Sequence, residues 1–305
     1  MAEPQFSNAF MVTFDGNPLP DDLVLQLVHA EVDDSLNLPD VVVLRFRDQD
    51  RTVISKSGAK IGSKLVVSAV GIGSGAPEPL ITAEVTALEV EFDATGTFTV
   101  IRGFDPAHRL FRGRRTETYT QVTASDVAKK VATRAGLTLG TIDATTTVFD
   151  HVSQGGVSDW DFLDSLAREI GHEVAVKDGK FDFRAPGQAE KAPPTGSPTS
   201  EPLLLRQGAD LIRFRSLITS AAQVKEVQVR GWDVTQKKAL IGTAPAATKS
   251  AQSSGAGVAP ADLARAFGDP VYVASDTPFR RQIEVDTVAT AISEQIAGEI
   301  GRAHV

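Results

Sequence analysis

The stretch at residues 151–184, HVSQGGVSDWDFLDSLAREIGHEVAVKDGKFDFR, constrains the fold more than any other, because it spells out a helix with both its ends and the hairpin that follows. Ser158 is an N-cap with Asp161 three residues on, so short oxygen side chains satisfy free amides at a helix start. Trp160, Leu163, Ala167 and Ile170 recur at helical spacing, and Phe162 and Leu166 widen the stripe. Gly171 supplies a left-handed C-cap. Val174 and Val176 then alternate with polar residues, Asp178 and Gly179 mark a tight turn, and Phe181 and Phe183 return on one face. The spacing predicts a helix packed on a hairpin.

Towards the N-terminus the pattern is of strands, at residues 10–14, 24–32, 41–47, 64–70, 80–92 and 97–104, punctuated by glycine and proline. Leu44 and Phe46 alternate with Arg45 and Arg47 at the period of a half-buried strand. Many short strands with turn signals predict a small barrel or sandwich, and closure would remove exposed edges. Near residue 105 the pattern changes: Thr123 caps a helix with Asp126 at its third position, Val127 and Val131 lie one turn apart, and Gly136 closes it. Residues 186–202, PGQAEKAPPTGSPTSEP, carry too little apolar content to fold and read as a linker.

Strands resume at 211–217, 224–232 and 239–242. Leu211-Ile212-Arg213-Phe214-Arg215 echoes Val43-Leu44-Arg45-Phe46-Arg47, which would suit two similar barrels in one chain. A second low-complexity loop, 243–260, leads to a strand at 271–274. The final helix is expected to be capped by Asp286, with Val288, Ile292, Ile296 and Ile300 on one stripe.

Composition narrows the function. At 305 residues, 42% hydrophobic and 23% charged, the chain is ordinary globular material for two or three domains. A net charge of -8 argues against a general nucleic-acid binder, which needs a cationic surface. The absence of cysteine excludes disulfides and thiolate metal sites. The start, MAEPQFSNAF, has neither the basic residues nor the apolar core of a signal peptide, and no run is long enough to span a bilayer. Synthesis in the cytoplasm without a signal peptide is expected.

Catalytic constellations are equally scarce. Asp159, Asp161 and Asp164 read as complements to a helix N-terminus rather than as an acid-base or metal cluster. His29, His108, His151, His172 and His304 are scattered, with no zinc spacing. The glycine run at residues 71–75 lacks the Gly-Lys-Ser/Thr ending of a phosphate loop and reads as a turn, and no serine-hydrolase elbow is present. The expectation is therefore no catalytic, cofactor or metal site. Arg109, Arg112, Arg114 and Arg115 form the one notable basic cluster, either a solvated face or the polar rim of a subunit contact. Trp160 and Trp232 read as core anchors, Trp232 at a strand end or bulge. With Phe162 and Leu163 they complete the set of structural or interface candidates.

The run Gln154, Ser158-Asp159-Trp160-Asp161-Phe162-Leu163 and Leu166-Ala167-Arg168-Glu169-Ile170-Gly171 resembles the VgrG-type spike and hub proteins of contractile injection systems. The superfamily includes the late control D tail proteins of contractile phages. Residues 104–137, FDPAHRLFRGRRTETYTQVTASDVAKKVATRAGL, and 227–244, VQVRGWDVTQKKALIGTA, are similar to the same family in the expected order. This resemblance implies an α+β, mostly β fold in which two similar β-barrel domains form a hub ring with an inserted α+β domain. Boundaries follow: a first barrel at 1–104, the insertion at 105–185, a linker at 186–202, a second barrel at 203–285, and a C-terminal helix at 286–305 leading to a spike domain. That oligonucleotide-binding-type barrel and the Val-Gly needle have no counterpart here, so either the chain is truncated or the spike is a separate chain.

The implied function is a structural homotrimeric hub adapting a hexameric inner tube to a trimeric spike. Its partners would be the tube protein, baseplate proteins and a spike tip protein, with no nucleic acid and no membrane insertion. Its place would be a phage-tail-like particle, cytoplasmic or released, with the class of injection system left open. The alternative is an envelope-acting hydrolase or a carbohydrate-binding β module.

Overall fold

The computed structural model describes residues 10–35, 38–69, 77–177, 179–185, 215–216, 223–247, 260–265, 268–275, 277–298 and 303–304. The chain divides into two units, residues 1–163 with 174–184 and residues 164–173 with 185–305. The first elements are β1 (Phe10–Phe14), β2 (Asn17–Pro18), α1 (Asp21–Val24), β3 (Leu27–Asp33), β4 (Val41–Arg47), α2 (Val53–Ser57), β5 (Lys64–Ala69), β6 (Glu78–Asp93) and β7 (Gly96–Phe104). Then come α3 (His108–Phe111), β8 (Arg115–Thr123), α4 (Ala124–Arg134), β9 (Thr138–Ile142), β10 (Val148–Val157), α5 (Asp159–Glu169), β11 (Glu173–Lys177) and β12 (Lys180–Arg184). The last are β13 (Arg215–Ser216), β14 (Glu226–Asp233), β15 (Lys238–Pro245), α6 (Pro260–Arg265), β16 (Val271–Ala274), α7 (Gln282–Gly298) and β17 (Ala303–His304).

Seven strands form an antiparallel sheet in the order β2-β1-β5-β6-β7-β4-β3. Its core collects Val12 and Phe14 from β1, Leu44 and Phe46 from β4, Leu65 and Val67 from β5, Ile81 and Val85 from β6, and Ile101 from β7. Strand β6 serves both halves of the sheet, and its register shifts between Val85 and Ala87, a bulge that bends the strand so that both halves share one core. On the outer face Arg45 lies 3.7 Å from the Phe98 ring centre and pairs with Glu91 at 3.0 Å, while Arg102 pairs with Glu89 at 2.6 Å. That face is a solvated ladder of cross-strand ion pairs.

The expected closed barrel is not what these strands make, because β2 and β3 are edges that do not pair with each other. Strand β2 has only two residues, and it ends at Pro18, which has no N–H to offer a ladder. Edge strand β3 carries Glu31 and Asp33, charged side chains that discourage further pairing. The strand expected at 24–32 is split for a related reason. Pro20 starts the turn α1, with its carbonyl accepting from the amides of Leu23 and Val24, and the extended backbone begins only at Leu27. Helix α2 is held by the buried Asp48, whose carboxylate accepts from the amides of Thr52 (2.8 Å) and Val53 (3.2 Å) and from the Thr99 hydroxyl (2.7 Å).

Helices α4 and α5 are delimited by one set of devices used twice. The Asp126 amide donates to Thr123 Oγ1 (3.2 Å) while the Thr123 amide donates to the Asp126 carboxylate (3.3 Å). At α5 the Asp161 amide donates to Ser158 Oγ (3.0 Å), which donates to the Asp161 carboxylate (2.7 Å). Both helices end with a glycine at positive φ, Gly136 and Gly171, and the next amide returns to a carbonyl five residues back, Leu137 to Ala132 and His172 to Ala167. Strands β11 and β12 are neighbours as the hairpin requires, and the sheet gains a third strand, β9, parallel to β12. Asp178 of the expected turn lies outside the described residues. Helix α4 packs against β9 and β12. Strands β8 and β10 form an antiparallel ribbon absent from the sequence expectation. The alternation of Thr116, Thr118 and Thr120 around the buried Tyr119 and Val122 was its available signal.

In the second unit β14 is central, antiparallel to β15 and parallel to β16. Val227, Val229, Leu240 and Ala244 from one face of this sheet bury against Val285, Val288 and Ala289 of α7. Gly242 lets the α7 backbone approach, since a Cβ there would stand 2.3 Å from the Val285 carbonyl oxygen. The helix begins at Gln282, not at Asp286: the Glu284 carboxylate accepts from the amides of Arg280 (2.9 Å) and Arg281 (3.1 Å), so the free donors are satisfied a turn earlier. Among the described residues this unit is a three-stranded sheet with a helix on one face and a short β13–β17 pair, and it is not a second barrel. The glycine run at 71–75, the linker at 186–202 and the echo at 211–214 lie outside the described residues. Overall the described chain is mostly β, with several sheets and none closed.

Candidate interaction surface

Three of the four apolar candidates are interior. Leu163 is fully buried, Trp160 stacks on Phe111 of α3 with ring centres 4.7 Å apart, and Phe162 stacks on Tyr119 of β8 at 5.8 Å. They fix α5 on α3 and the β8–β10 ribbon. Trp232 is the exception to the expected core role, with 53% of its surface exposed. It sits near the end of β14 on the face opposite α7, so alternation places it away from the core.

The four arginines separate into two kinds. Arg109 is committed within the chain: Nε and Nη2 grip the Glu84 carboxylate, with Nε at 3.1 Å, and Nη1 donates to the Gly136 carbonyl at 2.9 Å. It ties β6 to the C-terminal end of α4, where a cation complements the helix dipole. His108 stands 2.8 Å from the same carboxylate, and Arg109, then His108, hold Glu84 below its ordinary pKa. Arg112 and Arg114 lie in the exposed loop after α3, and Arg115, also exposed, opens β8 at 3.9 Å from Asp159. All three are exposed, whereas Arg109 is spent within the chain.

What the sequence did not disclose is the polar network beneath this loop. The buried Asp159 accepts from Arg134 (2.8 Å) and from Gln154 (2.9 Å), and Arg134 reaches on to the Tyr119 hydroxyl (3.1 Å) and to Glu117. Gln154 also donates to the Val157 carbonyl at 3.1 Å. One network thus fastens the ribbon, α4 and the start of α5. Asp159 is a structural acceptor here, while Asp161 caps α5 and Asp164 pairs with Arg168 one turn on.

A second acidic group stands out electrostatically. Asp105, almost fully buried at the end of β7, is pushed up to about 7 by burial and by the neighbouring Asp40. Asp40 is itself raised, by burial and by Asp34 and Asp33. Among the described residues no group of three or more His, Asp or Glu is placed to hold a metal ion. An open depression of about 260 Å³ beside β3 is lined by Leu25, Gln26, Arg47, Asp48 and Asp50, but its buried acid, Asp48, is consumed in holding α2. Nor, among the described residues, is any helix long and apolar enough to cross a membrane.

The architecture has solved counterparts. The chain superposes on a 43 kDa tail protein of prophage MuSo2 from Shewanella oneidensis with a TM-score of 0.62 and 13% identity, covering 93% of this chain and 77% of that one. A tail protein from Neisseria meningitidis gives 0.57 at 14% identity, covering 92% and 74%. The prophage tail protein gp18 from Listeria monocytogenes gives 0.50 at 13% identity, covering 97% and 79%. At such identities the likeness establishes a shared fold. No curated protein matches the sequence. A family model does, however: the one described as the Alg8 N-terminal domain spans residues 10–305, nearly the whole chain, and the protein belongs to that family.

Proposed function

We propose that this chain is a structural subunit of a phage tail or related contractile injection system, a VgrG-type hub that assembles as a homotrimer between a hexameric inner tube and a trimeric spike. The observation that carries the proposal is the fold shared with three tail proteins, two of them from prophages, over more than nine tenths of the chain. The organisation of the chain supports it: partly or fully buried acids and arginines hold elements together, as in the Asp159–Arg134 and Glu84–Arg109 pairs.

In this proposal residues 1–104 and 203–285 are the two hub domains, 105–185 the insertion, 186–202 the linker, and 286–305 the lead into the spike. Three chains with two docking domains each offer six sites to a hexameric ring above and three to a spike below. The exposed Arg112, Arg114 and Arg115 supply rim contacts to baseplate neighbours. The test is retention of the hexameric tube protein of the same particle on the immobilised chain. Binding at micromolar concentration is expected. No retention at tens of micromolar, or robust digestion of cell wall by the purified chain, contradicts the proposal.

A further inference from the structure

Among the described residues, the sheet of the second unit is covered on one face only. Register places Val227 and Val229 of β14, Leu240 and Ala244 of β15, and Ala274 of β16 on the α7 side. The same register places Trp232 and Arg230 of β14, Ile241 of β15, and Val271 and Val273 of β16 on the other face. Trp232, Ile241, Val271 and Val273 there are 53%, 51%, 41% and 47% exposed. Arg230 is exposed and has no ion-pair partner among the described residues. On the outer face of the seven-stranded sheet, by comparison, Arg45 and Arg102 are paired to carboxylates across strands.

We infer that this uncovered β15-β14-β16 face is the contact surface for a second copy of the chain, an inference that rests on the homotrimer proposed above. Area is the first argument. Four half-exposed side chains of this size amount to roughly 300 Å² of apolar surface, as much as the largest apolar patches that monomers usually expose. That is the larger part of the apolar area one partner brings to a standard interface, about 800 Å² of which a little over half is apolar. Composition is the second, since a half-exposed tryptophan beside an unpaired arginine on a rigid strand is the make-up of an interface hot spot. The surface is also preorganised, because β14 is hydrogen-bonded on both sides and the glycine contact at Gly242 pins α7 beneath it. In a threefold ring this face meets a different surface of its neighbour.

Sedimentation velocity of the full chain at about 20 μM tests the inference. The wild type is expected to run as a trimer. The double variant W232K/I241K is expected to run as a monomer with its thermal transition retained, and Leu25→Lys, an exposed apolar position elsewhere, to leave the mass unchanged. Arg230→Glu, at an exposed position, gives an independent reading should the double variant unfold, with assembly weakened at least tenfold. A wild-type trimer whose mass survives both sets of changes overturns this surface and leaves the homotrimer standing. A wild type that stays monomeric at 100 μM overturns both.

Discussion

Asp105 is the residue whose environment makes the sharpest demand. Its carboxyl is raised to about 7 in the folded chain against an ordinary value of 3.8, first by burial and then by Asp40. Between those values the folded state holds a proton that the unfolded chain has released, so stability from this group rises as pH falls through that window and its penalty is complete above 7. Glu84 acts oppositely, but its pKa is depressed, so its contribution is lost only in more acidic solution. Asp105→Asn removes the charge and keeps an oxygen that can accept from the Ala107 amide, now 3.2 Å away. The variant is expected to melt several degrees above the wild type near pH 8, a shift of the order expected for one or two kcal/mol, with a smaller difference near pH 5 and little below the ordinary carboxylate value of 3.8. Equal destabilisation at both pH values, read from thermal melts, would contradict this account of the site.

Elements are where the sequence is most and least legible. The ends of α4 and α5 are readable because Thr123, Ser158, Gly136 and Gly171 act on backbone groups within a few residues, and local chemistry is written locally. The start of α7 is missed because Glu284 reaches back to two amides from inside the helix, outcompeting the obvious cap at Asp286. Alternation in β14 announces two faces but not which is covered, and so Trp232 reads as core when it is on the open side. The Gln154–Asp159–Arg134 network is invisible for another reason, since its members come from β10, α5 and α4 and meet only once those have packed. Close backbone approach is likewise a tertiary fact. Gly242→Ala would drive a methyl into the Val285 and Asp286 backbone, and we expect a loss of about 3 kcal/mol in denaturant unfolding. Gly155→Ala, with nothing within 4 Å of the added carbon, should change stability by no more than about 0.5 kcal/mol. Equal effects of the two would refute the packing of α7 on β15.

At the scale of the whole molecule the expected pair of closed barrels gives way to a bent, open seven-stranded sheet and a smaller sheet backed by a helix. Openness has a consequence, for unpaired edges and a bare sheet face are tolerable in a subunit whose neighbours cover them. The fold is shared with solved tail proteins at 13–14% identity. The central claim is a number, the count of copies per particle. Imaging of purified tails at a resolution that separates subunits, with this chain labelled, is expected to show three copies on the axis at the end of the tube. Six copies, a single copy, or a label found anywhere but the tube end would contradict it.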